Sequence, residues 1–482
     1  MKRMAFILLL FCAASISAPA QLTTLASFDK TDGSVPAYPA APFVQGTNGN
    51  FFGTTAAGGA NDEGAVFEMS PTGKLVRLYS FCSQPGCSDG AIANAGLVQA
   101  VDGTIYGTTA FGGTNNQGTI FEMTPAGKLT TIYRFCSVPG CPDGADPSAG
   151  LLQAFDRNLY GTTFSGGAYG NGTVFKLTKA GTLTTLASFD GTNGSNPDFG
   201  SLIQGNDGAF YGTTVAGGAN TACGQTNGCG TIFRVTPLGR LTSLYSFCTQ
   251  VNCADGASPY GGLVQGTDGN FYGTTTAGGA FGYGTVFKLT TSGKLTTLHS
   301  FDYGDGAYPQ AALILGTDGN FYGTTPNGGA SGVAGTLFSI TPAGQLTTLY
   351  SFCSKANCAD GNGPFSGLIQ ATNGKFYGAT FAGGTSLNCN GGCGTAFTLS
   401  TSLGPFVETR LTSGKAGAHV VVLGNNLTGT TAVNFNGTPA AFTVVSATEI
   451  VATVPTGATT GFVTVATLGG TLTSNQPFRV IP

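Results

Sequence analysis

Between residues 22 and 402, short apolar runs rich in β-branched and aromatic residues alternate with polar, glycine-rich segments. One stretch shows the pattern. GLVQGTDG (262–269) is an apolar run that ends in an Asp-Gly turn, and NFYGTT (270–275) follows at once. The loop TAGGAFGY (276–283) leads to GTVFKLT (284–290), and a Ser-Gly turn leads to KLTTLHSF (294–301). Runs of this length and composition between Gly-containing turns predict four antiparallel strands, here named A to D.

The unit recurs. An aromatic-Gly-Thr/Ala-Thr string places glycine at 53, 107, 161, 212, 273, 323 and 378, at spacings of 50 to 61 residues. Four strands per unit at a period near 50 predict the blades of a β-propeller, not the turns of a solenoid. The seventh unit reaches strand C at TAFTLS (395–400) and then lacks a strand D. The missing piece, LTTLASF, stands at 22–28. The expectation is an all-β, seven-bladed propeller over 21–402, closed by the N-terminal strand, which leaves no open sheet edge. From about Gly404 the period stops. Strand-like runs at 419–424, 432–436, 440–446, 449–455, 461–467 and 477–482 predict a small immunoglobulin-like β-sandwich over 403–482.

Composition narrows this further. Of 482 residues, 79 are Gly and 9% are charged. Interior glycines cost helices about 1 kcal/mol each, so helical folds are excluded. Gly shows no three-residue period, which excludes collagen. Residues 1–20, MKRMAFILLLFCAASISAPA, read as a signal peptide cut before Gln21; Phe11 ahead of Cys12 argues against a lipoprotein signal. No later stretch is apolar enough to span a membrane. With 17 basic and 22 acidic residues after that cut, the formal charge is −5. Nucleic-acid binding, which needs clustered Lys and Arg, is disfavoured.

Twelve cysteines remain in six close pairs: Cys82 with Cys87, Cys136 with Cys141, Cys223 with Cys229, Cys248 with Cys253, Cys353 with Cys358, and Cys389 with Cys393. In an oxidising compartment these are local disulfides, with paired four-thiolate zinc as the alternative. Four pairs fall in D–A connections and two in B–C loops, which an antiparallel meander puts at one end of every blade. That face carries the longer, more variable loops and is the expected binding face.

Two resemblances rest on these residues. The NFYGTT…GTVFKLT…GKLTTLYSF pattern over 22–402 resembles the GloVer tandem repeat of secreted bacterial proteins. VVVLGNNLTG, FNGTPAAFTVVS, ATEIVATVPTGATTG and VTVAT resemble an IPT/TIG domain of immunoglobulin-like fold. The first implies export and residence outside the cell, with varied C-terminal anchors. It implies no enzymatic activity.

Chemistry is sparse. Residues repeated in every blade read as packing, so a site should draw on residues that differ between blades. His299, on a D strand, reads as a surface substitution, and His419 opens a sandwich strand. Neither meets a Ser or Cys motif, so no catalytic residue is assigned. Asp89, Asp143, Asp255 and Asp360, after the second cysteines, read as turn residues accepting backbone hydrogen bonds. Calcium is the alternative at DKTDG (29–33) and DYGDG (302–306); no metal or cofactor is assigned. Phe111, Phe164, Tyr169, Phe281, Tyr283 and Phe381 in B–C loops are the candidate ligand-stacking residues. The reading is a secreted, non-catalytic recognition or adhesion protein that binds a polysaccharide or a surface protein, with its oligomeric state open. The alternatives are a polysaccharide-cleaving enzyme using acids near the propeller channel, or a structural envelope protein.

Overall fold

A computed structural model describes residues 20–30, 42–224 and 227–481, together with the backbone of 34–36. The expected signal peptide falls almost wholly outside the described residues. The fold is all-β: among the described residues there are four short 3-10 turns and no α-helix. Seven sheets share one strand order, A-B-C-D, each strand pairing antiparallel with the next. Sheet 5 is typical, with strands Val264–Gln265, Phe271–Thr275, Thr285–Leu289 and Leu295–Ser300. Strand A pairs over only two residues, shorter than its apolar run suggests. Sheet 1 gains an additional strand, Ser34–Pro36, beyond its strand B. In sheet 7 the D position is taken by Gln21–Ser27, which pairs along Thr395–Ser400.

The repeated Tyr-Gly-Thr-Thr string on strand B now has a physical account. Its glycine makes room for the phenylalanine opposite on strand C: a Cβ at Gly273 would stand 2.7 Å from Cζ of Phe287, and the same clash recurs in every sheet. Its tyrosine stacks on the first aromatic of the next sheet's strand B. The pairs are Tyr160 on Phe210, Tyr211 on Phe271, Tyr272 on Phe321, Tyr322 on Phe376 and Tyr377 on Phe51, with centroids 4.0–4.2 Å apart. The phenol then bonds the A–B turn: Tyr272 donates to Asp268 at 2.9 Å, with Lys288 paired to the same carboxylate over the ring face, while Tyr377 accepts from the Asn373 amide. The first threonine reaches the next sheet, with Thr108 donating to the carbonyl of Ala149. The second joins its own strand C, Thr109 to Thr119 at 2.8 Å.

A second seam contact lies in the A–B turns. A glutamine ending strand A accepts the N–H of the preceding sheet's turn: Thr47 to Gln99, Val101 to Gln153, Phe155 to Gln204, Asn206 to Gln265, Thr317 to Gln370 and Thr372 to Gln45. The last of these joins sheet 7 to sheet 1. Sheet 6 carries Leu315 where the others carry glutamine.

Residues 408–480 form two further four-stranded sheets and one parallel strand pair. Val422, Phe435, Ile450, Val465 and Phe478 pack between them. Strand-A residues of five sheets, Leu152, Ile203, Val264, Ile314 and Ile369, line one cavity of about 510 Å³, so the A strands are innermost. The C-terminal unit sits on the A–B-turn end of that cavity. Glu408 and Arg410 reach into it, Arg410 donates to the carbonyl of Gln45 and to Gln99, and Thr448 donates to the carbonyl of Thr47.

Replacing Gly273 with Ala should therefore lower stability by about 1–3 kcal/mol through overpacking against Phe287. Chemical denaturation checks this; an unchanged midpoint would show that the strand B–strand C spacing is looser than described.

Candidate functional site

All six expected disulfides are present. Four close the D–A connections: Cys82 with Cys87, Cys136 with Cys141, Cys248 with Cys253, and Cys353 with Cys358. Two close B–C loops: Cys223 with Cys229, and Cys389 with Cys393. The two sets differ in backbone. Both cysteines of every D–A bridge take positive φ, from 48° at Cys141 to 64° at Cys248, and no cysteine of the B–C bridges does. Isolated bridges such as Ala91–Phe111 and Ala145–Ser165 tie D–A connections to B–C loops, so both loop sets share one end of the molecule.

The four turn acids act as loop clamps. The Asp89 carboxylate accepts from the Tyr79 hydroxyl at 2.7 Å, from the Ser83 N–H and hydroxyl, and from the Gln84 N–H. Asp255 and Asp360 repeat this with Tyr245 and Tyr350, and Tyr133 donates to Asp143. His299 is more than a surface substitution. It stands where other sheets place this tyrosine, and its Nε2 lies 2.6 Å from Asp305, which replaces the clamp in a connection without a bridge. Asp302 and Asp305 also accept each other's backbone N–H, so their carboxylates are committed to the loop. The other acidic string, 29–33, falls partly outside the described residues.

Inward from the bridges, just before strand A, the connections share a second geometry. The triplets are Ile92-Ala93-Asn94, Asp146-Pro147-Ser148, Asn196-Pro197-Asp198, Ser258-Pro259-Tyr260, Tyr308-Pro309-Gln310 and Gly363-Pro364-Phe365. The first residue of each has φ between 54° and 65°, a region costly for any residue but glycine. Five of the six are held from both sides, and Tyr308 only through its N–H, because Pro326 stands where the other sheets supply the second donor. The Asp146 N–H donates to the carbonyl of Gln117 in the preceding sheet, and the Asp146 carbonyl accepts from Phe164 in its own sheet. The backbone is uniform while the third side chain differs in every sheet: Asn94, Ser148, Asp198, Tyr260, Gln310 and Phe365. Ser148 is buried and the rest are half-buried.

Two carboxyls belong to this inner set. Burial, and secondarily the charge of Asp146, pushes Asp198 up from 3.8 to about 8. Burial also raises Asp146, against the hydrogen bond it accepts from the Ser148 hydroxyl. At neutral pH Asp198 is therefore a neutral acid, able to donate a hydrogen bond. Aromatic rings complete the set. Phe199 stacks on Tyr260 at 6.3 Å, and Phe365 meets Phe381 at 5.5 Å. Tyr308 meets Tyr283 at 5.6 Å. Of the six sequence candidates, Tyr283 and Phe381 thus join the inner set, and Phe164 supplies a backbone contact to it. Phe111, Tyr169 and Phe281 lie farther out on exposed loops, at 42%, 65% and 61% exposure. The sequence reading missed Asp146, Asp198 and Tyr260. Their signal was available, since they vary where the surrounding repeat does not.

Two family models match the chain. The Gloeobacter/Verrucomicrobia repeat matches residues 13–142, 86–248 and 221–439, and the IPT/TIG domain matches 401–480. The chain belongs to the Gloeobacter/Verrucomicrobia repeat family. No curated protein matches the sequence. Among solved structures, the extracellular domain of a protein assigned as a hybrid two-component system from Bacteroides thetaiotaomicron is similar at a TM-score of 0.50 and 12% identity. That match covers 84% of this chain and 45% of that one. The periplasmic gluconolactonase of Pseudomonas aeruginosa matches at a TM-score of 0.41 and 16% identity, covering 79% of this chain and 99% of that one. The PQQ-bound aldose sugar dehydrogenase of Streptomyces coelicolor matches at 0.40 and 12%, covering 80% and 100%. The repeated four-stranded sheets of this Gloeobacter/Verrucomicrobia repeat protein resemble those of β-propellers. Among its described residues no helix is long and apolar enough to cross a membrane, and its six bridges fit an extracellular location.

The raised Asp198 sets a pH dependence. A group whose folded pKa is raised contributes stability fully below its unfolded pKa, and that contribution is lost as pH rises through the folded value. The thermal midpoint should therefore fall between about pH 4 and pH 8 through this residue, and Asp198→Asn should remove that part of the slope and raise the midpoint at pH 8. Parallel profiles for the two proteins would show that Asp198 is not buried beside Asp146.

Proposed function

We propose that this protein is an exported, seven-bladed β-propeller, closed by its N-terminal strand, that binds carbohydrate without turnover through its bridged-loop face. Two contacts between sheets 7 and 1 support closure: Tyr377 on Phe51, and Thr372 to Gln45. Both repeat contacts made at other seams. We take 1–20 as the signal peptide, 21–402 as the propeller and 403–482 as the immunoglobulin-like domain.

The observation that carries the binding reading is the inner set of triplets. A backbone that takes the same positive-φ step in each of these connections presents Asn94, Asp198, Tyr260, Gln310 and Phe365 around the inner strands. Amides and carboxyls that both donate and accept, beside flat aromatic faces, suit the hydroxyls and apolar faces of sugar rings. The opposite end of the inner cavity is taken up by the C-terminal domain.

A second reading is favoured by one observation, a buried Asp198 held neutral within electrostatic reach of Asp146. A neutral acid beside a second carboxyl is the arrangement glycoside cleavage uses.

A polysaccharide panel in affinity electrophoresis, followed by calorimetry on the retarding glycan, separates these. Tyr260→Ala and Phe365→Ala should each weaken binding about tenfold, by loss of about 1.4 kcal/mol of contact. Asp198→Asn should still bind. Absence of retardation by any glycan would defeat the binding reading. New reducing ends that vanish in both Asp146→Asn and Asp198→Asn would establish the second.

A further inference from the structure

The A–B turns place a glycine at positive φ in six sheets: Gly49, Gly103, Gly208, Gly269, Gly319 and Gly374. Sheet 3 places Arg157 there, at φ 65°. A long side chain in this region costs about 1 kcal/mol or more that glycine avoids. Two further departures lie close by. The second residue after strand A is Thr or Asn in the other sheets (Thr47, Asn206, Thr267, Thr317 and Thr372), but Val101 in sheet 2 and Phe155 in sheet 3. The side chains of Arg157, Val101 and Phe155 do not scatter. They line one wall of a groove of about 290 Å³ against the C-terminal domain, whose Lys415, His419 and Ser413 line the other.

The groove is cationic and most of its polar groups are unpartnered; His419 is the exception, its Nδ1 lying 3.2 Å from the Thr453 hydroxyl. Neither the Arg157 guanidinium nor the Lys415 ammonium has an ion-pair or hydrogen-bond partner among the described residues. The Ser413 hydroxyl, in a residue only 5% exposed, is buried without a partner. No acid lines the groove. The nearest turn acids, Asp156 and Asp102, are paired with Lys176 and Lys179. Two of the few cations of a net-acidic protein, Arg157 and Lys415, therefore converge with a buried donor and a phenylalanine.

We propose that this groove binds an oxyanion carried on a small ring-bearing ligand, a sulfated, phosphorylated or carboxylated sugar. Arg157 and Lys415 neutralise the charge, the Ser413 hydroxyl donates to an anion oxygen, and the ring lies against Phe155 and Val101. The site lies at the A–B-turn end and does not depend on the carbohydrate reading of the other face.

The experiment is calorimetry on the full chain with glucose 6-sulfate, glucose 6-phosphate and glucuronate, and with glucose and inorganic sulfate as controls. At least one anionic sugar should bind with a Kd of about 0.1–1 mM. The one that binds most tightly names the source of the anion, inorganic sulfate should bind more weakly than it, and glucose should show no heat. Arg157→Gly restores the repeat and relieves the backbone, so its thermal midpoint should hold or rise while affinity falls at least tenfold. Lys415→Met should also weaken binding. Unchanged affinity in Arg157→Gly, or equal behaviour of glucose and all three anionic sugars, overturns the proposal.

Discussion

Everything in the repeat region depends on how one four-stranded sheet meets the next. A single sheet of this size, with a strand A of two paired residues, cannot bury both faces. Its stability comes from stacking: a tyrosine from one sheet on an aromatic of the next, a phenylalanine seated over a glycine, and threonines spent on hydrogen bonds to their own strand C and to the next sheet. Each part of the Tyr-Gly-Thr-Thr string meets one of these demands. That explains why so little of the string can vary, and why so little of it is available for recognition.

This also decides how much was legible. Packing makes the same demand seven times, so repetition exposed the strands, their order and the offset that puts Gln21–Ser27 beside Thr395–Ser400. The disulfides were legible because each closes within six residues. What escaped was whatever the repeat does not repeat. His299 looked bland because its partner, Asp305, lies in a loop of different length. Asp146 and Asp198 read as ordinary turn residues in sequence, and only the three-dimensional return of adjacent connections buries both carboxyls and raises both. The loop aromatics were found by residue type alone, and type does not tell an inward ring such as Tyr283 from an outward one such as Tyr169.

The docking of the C-terminal unit was not legible at all. Its strands could be counted, but the reach of Arg410 to Gln45 and Gln99 depends on a surface assembled from several sheets. That contact gives the two ends of the inner cavity different characters. One is filled by Glu408, Arg410 and their neighbours. The other is ringed by side chains chosen sheet by sheet on a fixed backbone, an arrangement in which specificity can drift without disturbing the fold.

The glutamine contacts have a gap. Six seams are tied by a glutamine that accepts its neighbour's turn N–H, and at the junction of sheets 5 and 6 Leu315 replaces it. The stacking of Tyr272 on Phe321 remains there, so the junction holds with one fewer fastening. Like joints yield first where a fastening is missing: here, and at the junctions of sheets 1 with 2 and 2 with 3, where Ile105 and Leu159 stand in place of the stacked aromatic. Transient breathing, proteolytic nicking and engineered cut-and-rejoin variants should find their easiest entry at these three junctions.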